Sequence, residues 1–242
     1  MFARKTGISS RGALGVMLAT FCVVAQAQVN PKHVSPPVMP PCLKVGQQVT
    51  LTLNTGSLGP IPTADPIWTI VSPATIAPFS TAPNNAPTWW LPNTPNPKWI
   101  QPDPSGAPAT FPLNTYIYQT QFTTPIDPFL YASITISGSF ASDDNALVKL
   151  NGIPIASCTS GPQVSTACFH IWTAVPAVVG WQTFNRFPGY LNALTIDVAN
   201  TVAGSTSGLL VRAQVIAVCS KCSIVPPVGP PQPPCGGNPS NC

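Results

Sequence analysis

Two stretches decide the fold: Ser142-Asp143-Asp144-Asn145-Ala146-Leu147-Val148-Lys149-Leu150-Asn151-Gly152 and Gly189-Tyr190-Leu191-Asn192-Ala193-Leu194-Thr195-Ile196-Asp197-Val198-Ala199-Asn200. Each reads as a strand of alternating apolar residues that ends on a turn residue. In the first, Ala146, Val148 and Leu150 share one face, and Asn151-Gly152 is the strongest short-range signal for a tight hairpin. In the second, Leu194, Ile196 and Val198 share one face and Asn200 closes the strand. Both faces must be buried, so the chain needs a second sheet to cover them.

The same alternation recurs on either side. Val49, Leu51 and Leu53 mark a strand within 46–54, and Trp68 and Ile70 stand opposite in phase to Ile67 and Val71. Tyr116, Tyr118, Thr120 and Phe122 alternate. Leu130, Ala132, Ile134 and Ile136 follow, then Phe140. Ile153 to Ala156 continues after the hairpin, and Cys168, His170 and Trp172 alternate with Phe169 and Ile171. Leu209, Val211, Ala213, Val215 and Ala217 make a final strand. No segment carries a sustained helical period with caps. Many short strands with turn signals between them predict an all-β sandwich. From Ser72 to Pro112 periodicity vanishes, and Trp89, Trp90 and Trp99 stand among Pro, Thr and Asn. Two readings compete there: a surface loop pinned by core tryptophans, or an aromatic platform for a sugar ring.

The N-terminus predicts export. Arg4, Lys5 and Arg11 precede the apolar run 13–24, and Ala25-Gln26-Ala27 is a small-x-small cleavage site, so cleavage is expected after Ala27. The run is too short to span a bilayer, and Phe21 beside Cys22 breaks a lipobox, so no membrane insertion is expected after cleavage. The expected organisation is a signal peptide at 1–27, a Pro-rich lead-in at 28–45, a β-sandwich domain at 46–222 and a Pro/Cys-rich tail at 223–242. The location is secreted, extracellular or periplasmic.

Composition narrows function. The chain holds 32 Pro, ten Lys plus Arg, and six acidic residues, all of them Asp. Losing Arg4, Lys5 and Arg11 with the leader leaves seven basic residues against six acidic ones. Such a nearly neutral chain has no clustered cationic face for nucleic acid. Cysteine usage predicts disulfides in an oxidising compartment. Cys158 and Cys168 flank a short loop, Cys235 and Cys242 could close the tail, and Cys42 could bridge to Cys219 or Cys222. One of the seven mature cysteines is left over, for a free thiol or a link between chains. A zinc site from Cys219, Cys222, Cys235 and Cys242 is the competing reading.

The quoted phrases, with Asp65, Trp68, Trp99-Ile100, the Tyr116 to Phe122 strand and Gly208-Leu209, resemble the galactose-binding-domain-like jelly roll of secreted and surface bacterial proteins. The resemblance spans about Asp65 to Val218. It implies a carbohydrate-binding accessory module, and modules of this kind often carry a structural calcium, for which Asp143, Asp144 and Asn145 are the candidate ligands. No catalytic residues are expected. Glycosidases need two placed carboxylates, and Asp143 and Asp144, adjacent on a strand, would point to opposite faces. His170 has no nucleophile motif beside it. The expected function is therefore non-catalytic recognition of a polysaccharide or glycan by Trp89, Trp90, Asn151, Trp181 and Tyr190. The alternative is a structural subunit of an extracellular matrix, coat or appendage, self-associating through its tails or odd cysteine.

Overall fold

The computed structural model describes residues 36–56, 61, 63–73, 77–80, 90–94, 96–105, 110–123, 131–160, 167–179 and 191–220. Among these there is no helix. The strands are β1 Gln48–Thr52, β2 Trp68–Ser72, β3 Phe79–Ser80, β4 Ile100–Gln101, β5 Thr110–Phe111, β6 Asn114–Thr123, β7 Tyr131–Asp143, β8 Asn145–Leu150, β9 Ile153–Cys158, β10 Thr173–Val179, β11 Leu191–Asn200, β12 Ser205–Thr206 and β13 Gly208–Cys219.

They form a β-sandwich. One sheet runs β2-β6-β11-β8-β9, and the other runs β10-β7-β13-β4-β3 with β1 also on β13. The strand pairs are all antiparallel. The chain passes from β6 to β7 to β8 and from β10 to β11 to β13 by changing sheets each time, which is jelly-roll winding. The two faces the sequence marked out lie side by side on one sheet, with Leu194 opposite Leu150, Ile196 opposite Val148 and Val198 opposite Ala146. With Tyr118 and Phe122 they share one core with Ile134, Ile136, Phe140 and Val215 of the other sheet. The Asn151-Gly152 turn is a two-residue hairpin between Leu150 and Ile153, with positive φ at both positions as a type I′ turn requires.

Gly138 shows why one position in β7 has no side chain. A Cβ there would lie 2.2 Å from the Arg212 carbonyl oxygen and 2.7 Å from Ala213 Cα. Both are backbone atoms of the neighbouring strand and cannot move aside.

Three expectations change. Residues 168–172 are not a strand: Ala167 to His170 is a turn, closed by the His170 N–H donating to the Ala167 carbonyl, and His170 is exposed. The Cys158–Cys168 disulfide and the Ser142 N–H bond to the Cys168 carbonyl hold this segment against the sandwich as a loop. At the start of β7, Ala132 is exposed and Tyr131 buried, the reverse of the even alternation. A register shift between Val218 and Cys219 in the pairing of β13 with β7 inverts the phase. The last part of the lead-in also joins the fold. Val38 pairs with Thr123, Met39 is buried, and the Tyr131 hydroxyl donates to the Pro40 carbonyl.

Cys42 is bonded to Cys219, 177 residues away. This removes Cys219 from any zinc site, and among the described residues no group of three or more His, Cys, Asp or Glu could hold a metal. The two disulfides, Cys42–Cys219 and Cys158–Cys168, suit an oxidising compartment. Cys222, Cys235 and Cys242 lie outside the described residues.

Two outcomes follow for stability. Replacing Cys42 and Cys219 with Ala should cost about 2–5 kcal/mol in urea unfolding, since the bond closes a very long loop. Gly138→Ala should destabilise by at least about 2 kcal/mol in the same assay, because the clash is with backbone.

Candidate functional site

The corner between β7 and β8 gathers a cluster of polar contacts. Asp143 ends β7, and Asp144 belongs to neither strand. Asp143 is 4 % exposed. Its Oδ2 accepts from Trp90 Nε1 at 3.0 Å and from Thr206 Oγ1 at 2.7 Å, and its carbonyl accepts from Ser207 Oγ at 3.0 Å. Asp144 Oδ2 accepts from the Thr201 N–H at 2.8 Å and the Thr201 hydroxyl at 2.6 Å. Asn145 Oδ1 accepts from the Ser160 N–H. Because Asp144 sits at a corner, the two carboxyls do not point to opposite faces as strand neighbours would; they hydrogen-bond to each other. Burial, and then that hydrogen bond, push Asp143 up to about 7, while the bonds from Thr206 and Trp90 pull it down.

These residues do not fit calcium. A calcium site needs several free, charged oxygens around one point. Here Asp143 Oδ2, Asp144 Oδ2 and Asn145 Oδ1 accept protein hydrogen bonds, and burial favours the neutral form of Asp143. The cluster ties three chain segments together: the Trp90 loop, the β7–β8 corner and the Thr201 to Ser207 connection.

Trp90 is likewise not a sugar platform. It is 4 % exposed and stacks on Trp99, with ring centroids 4.3 Å apart. A Cβ on Gly208 would lie 2.8 Å from its ring, so Gly208 is what lets the ring approach β13. With Trp99, Ala141 and Leu210 it forms a second small core, on which Leu91, Phe169 and Trp172 pack. An indole with its faces covered cannot stack on a ligand. Asn151 is also engaged: its Nδ2 donates to Asn192 Oδ1 and its Oδ1 accepts from the Ala193 N–H, so its amide clamps the hairpin onto β11. Trp89, Trp181 and Tyr190 lie outside the described residues.

The strand register assembles a different surface on the outer face of the β7/β13/β1 sheet. Leu209, Val211, Ala213 and Val215 point into the core, so Arg212 and Gln214 point out, and both are exposed. Pairing sets Ser139 beside Arg212, and Ser137, Gln214 and Thr52 in one row across three strands. Thr135 and Thr50 continue the face in the next row, on either side of Ile216. At one end Trp172 is half-buried, and the Arg212 guanidinium lies over its ring, 5.2 Å from the centroid. No described carboxylate pairs with Arg212; the ion pair among the described residues joins Lys149 and Asp197 on the other sheet. No described group hydrogen-bonds the buried Ser139 Oγ. Among the described residues this face carries hydroxyls and amides around Ile216, the Trp172 ring and the Arg212 charge with no carboxylate paired to it. Sequence reasoning missed it because Trp172 and Arg212 are brought together by β10, β7 and β13, not by any local motif.

No protein-family model matches this chain, and no curated protein matches it. Solved structures give distant likenesses. The β-glucuronidase from Ruminococcus gnavus is 13% identical, over 73% of this chain and 30% of that one, at a TM-score of 0.32. The same enzyme in complex with N1-substituted uronic isofagomine is 14% identical, over 75% and 31%, at 0.30. A β-glucosidase from Kluyveromyces marxianus in complex with glucose is 12% identical, over 41% and 10%, at 0.24. This chain thus spans less than a third of the length of the chains it is similar to. The sandwich itself is established by its own strand pairing and core.

The corner makes two measurable differences. Trp90→Ala should lower stability by about 3–5 kcal/mol in urea unfolding, as expected for a large core aromatic. The raised Asp143 carboxyl sets a direction for pH. Its folded value lies above the ordinary 3.8, so its protonated form favours folding. The stability it contributes is complete below the ordinary value of 3.8, falls as pH rises above it, and is lost once pH passes about 7. Stability should therefore decline from pH 4 to pH 8. Asp143→Asn, which keeps an acceptor for Trp90 and Thr206 and a donor for Asp144, should flatten that decline.

Proposed function

We propose that this protein is an exported, non-catalytic binding module that recognises an acidic polysaccharide on the outer face of the β7/β13/β1 sheet. The observation that carries the reading is the unpaired Arg212 guanidinium stacked on Trp172 beside rows of Ser, Thr and Gln. A polysaccharide offers two things to such a face. Its hydroxyls can exchange hydrogen bonds with Ser137, Gln214 and Thr52, and its ring C–H faces can lie against an aromatic edge. A uronate or sulfate substituent would supply the anion that Arg212 lacks, with bidentate geometry. Export after cleavage at Ala27 supports an encounter with such a polymer outside the cytoplasm, and the disulfides agree with it.

The reading keeps the expected class of ligand and moves its site from the loop tryptophans to the sheet. Catalysis is not part of it: Asp143 is buried and accepts from Trp90 and Thr206, the half-buried Asp144 accepts from Thr201, and two neighbouring carboxyls engaged in this way do not flank a bond between sugars as its cleavage requires.

Affinity electrophoresis in gels containing uronate-rich, sulfated or neutral polysaccharide tests it. Retardation is expected in the acidic gels, weakening with salt. Arg212→Gln should reduce affinity roughly tenfold with little change in stability, the scale of a desolvated cation–π and charge contact. Equal retardation by neutral and acidic polymers, or no effect of Arg212→Gln, would remove the acidic specificity. No retardation in any gel would overturn the reading.

A further inference from the structure

We infer that β1 is an open edge through which two copies of this chain pair as an antiparallel, two-fold sheet extension. The phase of the strand fixes which groups are available. The Cys219 N–H donates to the Gln47 carbonyl at 2.8 Å, and the Leu53 N–H donates to the Ala213 carbonyl at 2.9 Å. Odd-numbered residues of β1 therefore turn their backbone groups to β13, and Gln48, Thr50 and Thr52 turn theirs away. These three residues are exposed, and no described residue bonds to their outward N–H or carbonyl groups.

The window is bounded on both sides. Past Thr52 the edge is taken up by Asn96 and Lys98, with the Lys98 N–H donating to the Thr55 carbonyl and Asn54 Nδ2 to Asn96 Oδ1. Before Gln48, the Gln47 side chain folds back to accept from the Leu43 and Lys44 N–H groups. What stays open is Gln48-Val49-Thr50-Leu51-Thr52.

Edges are ordinarily blunted by Lys, Pro, a bulge or an inward charge. This one has none of these, and its pairing with β13 is free of register shifts. The occupant that fits is a second copy. With a two-fold axis at Thr50, Gln48 meets the partner's Thr52 and Thr50 meets the partner's Thr50. All three residues with outward backbone groups then fall in hydrogen-bonded pairs on both chains, so every free donor and acceptor of the window is used. The same register sets the partner's Val49 against Leu51, a core-facing side chain left half-covered in one chain. The window carries no charge to repel its copy.

The Pro-rich segments of the chain are poorer occupants, since proline has no N–H to offer a ladder. Pairing would make the outer faces of two sheets continuous, with Thr50 and Thr52 of both chains at the centre. A long polymer would then meet two Arg212 sites at once. Self-pairing does not depend on that binding reading and is measured without polysaccharide.

Sedimentation of the mature protein from micromolar to millimolar concentration, with hydrogen exchange of individual amides, tests the inference. A concentration-dependent dimer is expected, in which the Gln48, Thr50 and Thr52 amides slow by tenfold or more while the odd-numbered amides are unchanged. Thr50→Pro removes the two central donors at a position where an edge strand tolerates proline. It should leave unfolding by urea nearly unaltered and abolish the dimer. Thr50→Lys, which cannot break the strand, should do the same by charge repulsion. A monomer throughout the range overturns the inference. So does a dimer that survives both variants, or one that protects amides elsewhere.

Discussion

The pairing of β7 with β13 is the constraint on which the rest of this structure hangs. It runs from Asp143 opposite Gly208 to Tyr131 opposite Cys219 and joins segments far apart in sequence. Such a ladder forms late and at a high entropic cost in chain closure, so its ends need anchors. Both ends have them. At one, Cys219 is bonded to Cys42, which also fastens the lead-in. At the other, Asp143 receives Trp90 and Thr206, and Ser207 bonds its carbonyl. In the middle, Gly138 lets β7 approach the Arg212 and Ala213 backbone without a side chain between them.

The anchor at Asp143 works at a cost. A buried carboxyl beside a second, half-buried one is shifted toward its neutral form, and folding gives up the solvation of Asp143. What offsets the cost is connectivity. One residue satisfies the indole of the Trp90–Trp99 stack, a hydroxyl of β12 and the corner of the β7–β8 turn. The acidic pair that reads in sequence as a metal or catalytic signal is thus a fastening between loops. Its oxygens have become acceptors for the protein itself.

Much of the fold was legible because its signals are local. Alternation at Val148 and Leu150, or at Ile196 and Val198, needs only a period of two, and Asn151-Gly152 needs only its own backbone preference. The failures share a different cause. Nothing near His170 reveals that a disulfide to Cys158 and a bond from Ser142 bend the segment into a turn. Nothing near Tyr131 reveals that Ala132 is passed over in the pairing with β13, where Val218 faces Ser133 and Cys219 faces Tyr131. Trp90 could have been either a platform or a core residue, and its partners Trp99 and Asp143 come from separate segments. The Trp172–Arg212 pair was invisible for the same reason, since only strand register makes them neighbours.

The outer face and the open edge belong to one sheet, and this sheet leaves its hydrogen-bonding capacity unspent in two directions. Perpendicular to the sheet, Ser137, Gln214 and Thr52 present side-chain donors and acceptors in a row. In its plane, Gln48, Thr50 and Thr52 present backbone ones. A buried strand would have to satisfy both sets internally. Here the composition permits neither an apolar cover nor a charged guard: the strands carry Thr, Ser and Gln where a solvent-repelling or self-repelling edge would carry Leu or Lys. A surface of this kind is wetted when alone. It is also able to exchange that water for any partner whose groups repeat at the spacing of strands, whether the partner is a hydroxylated polymer across the face or another β1 along the edge.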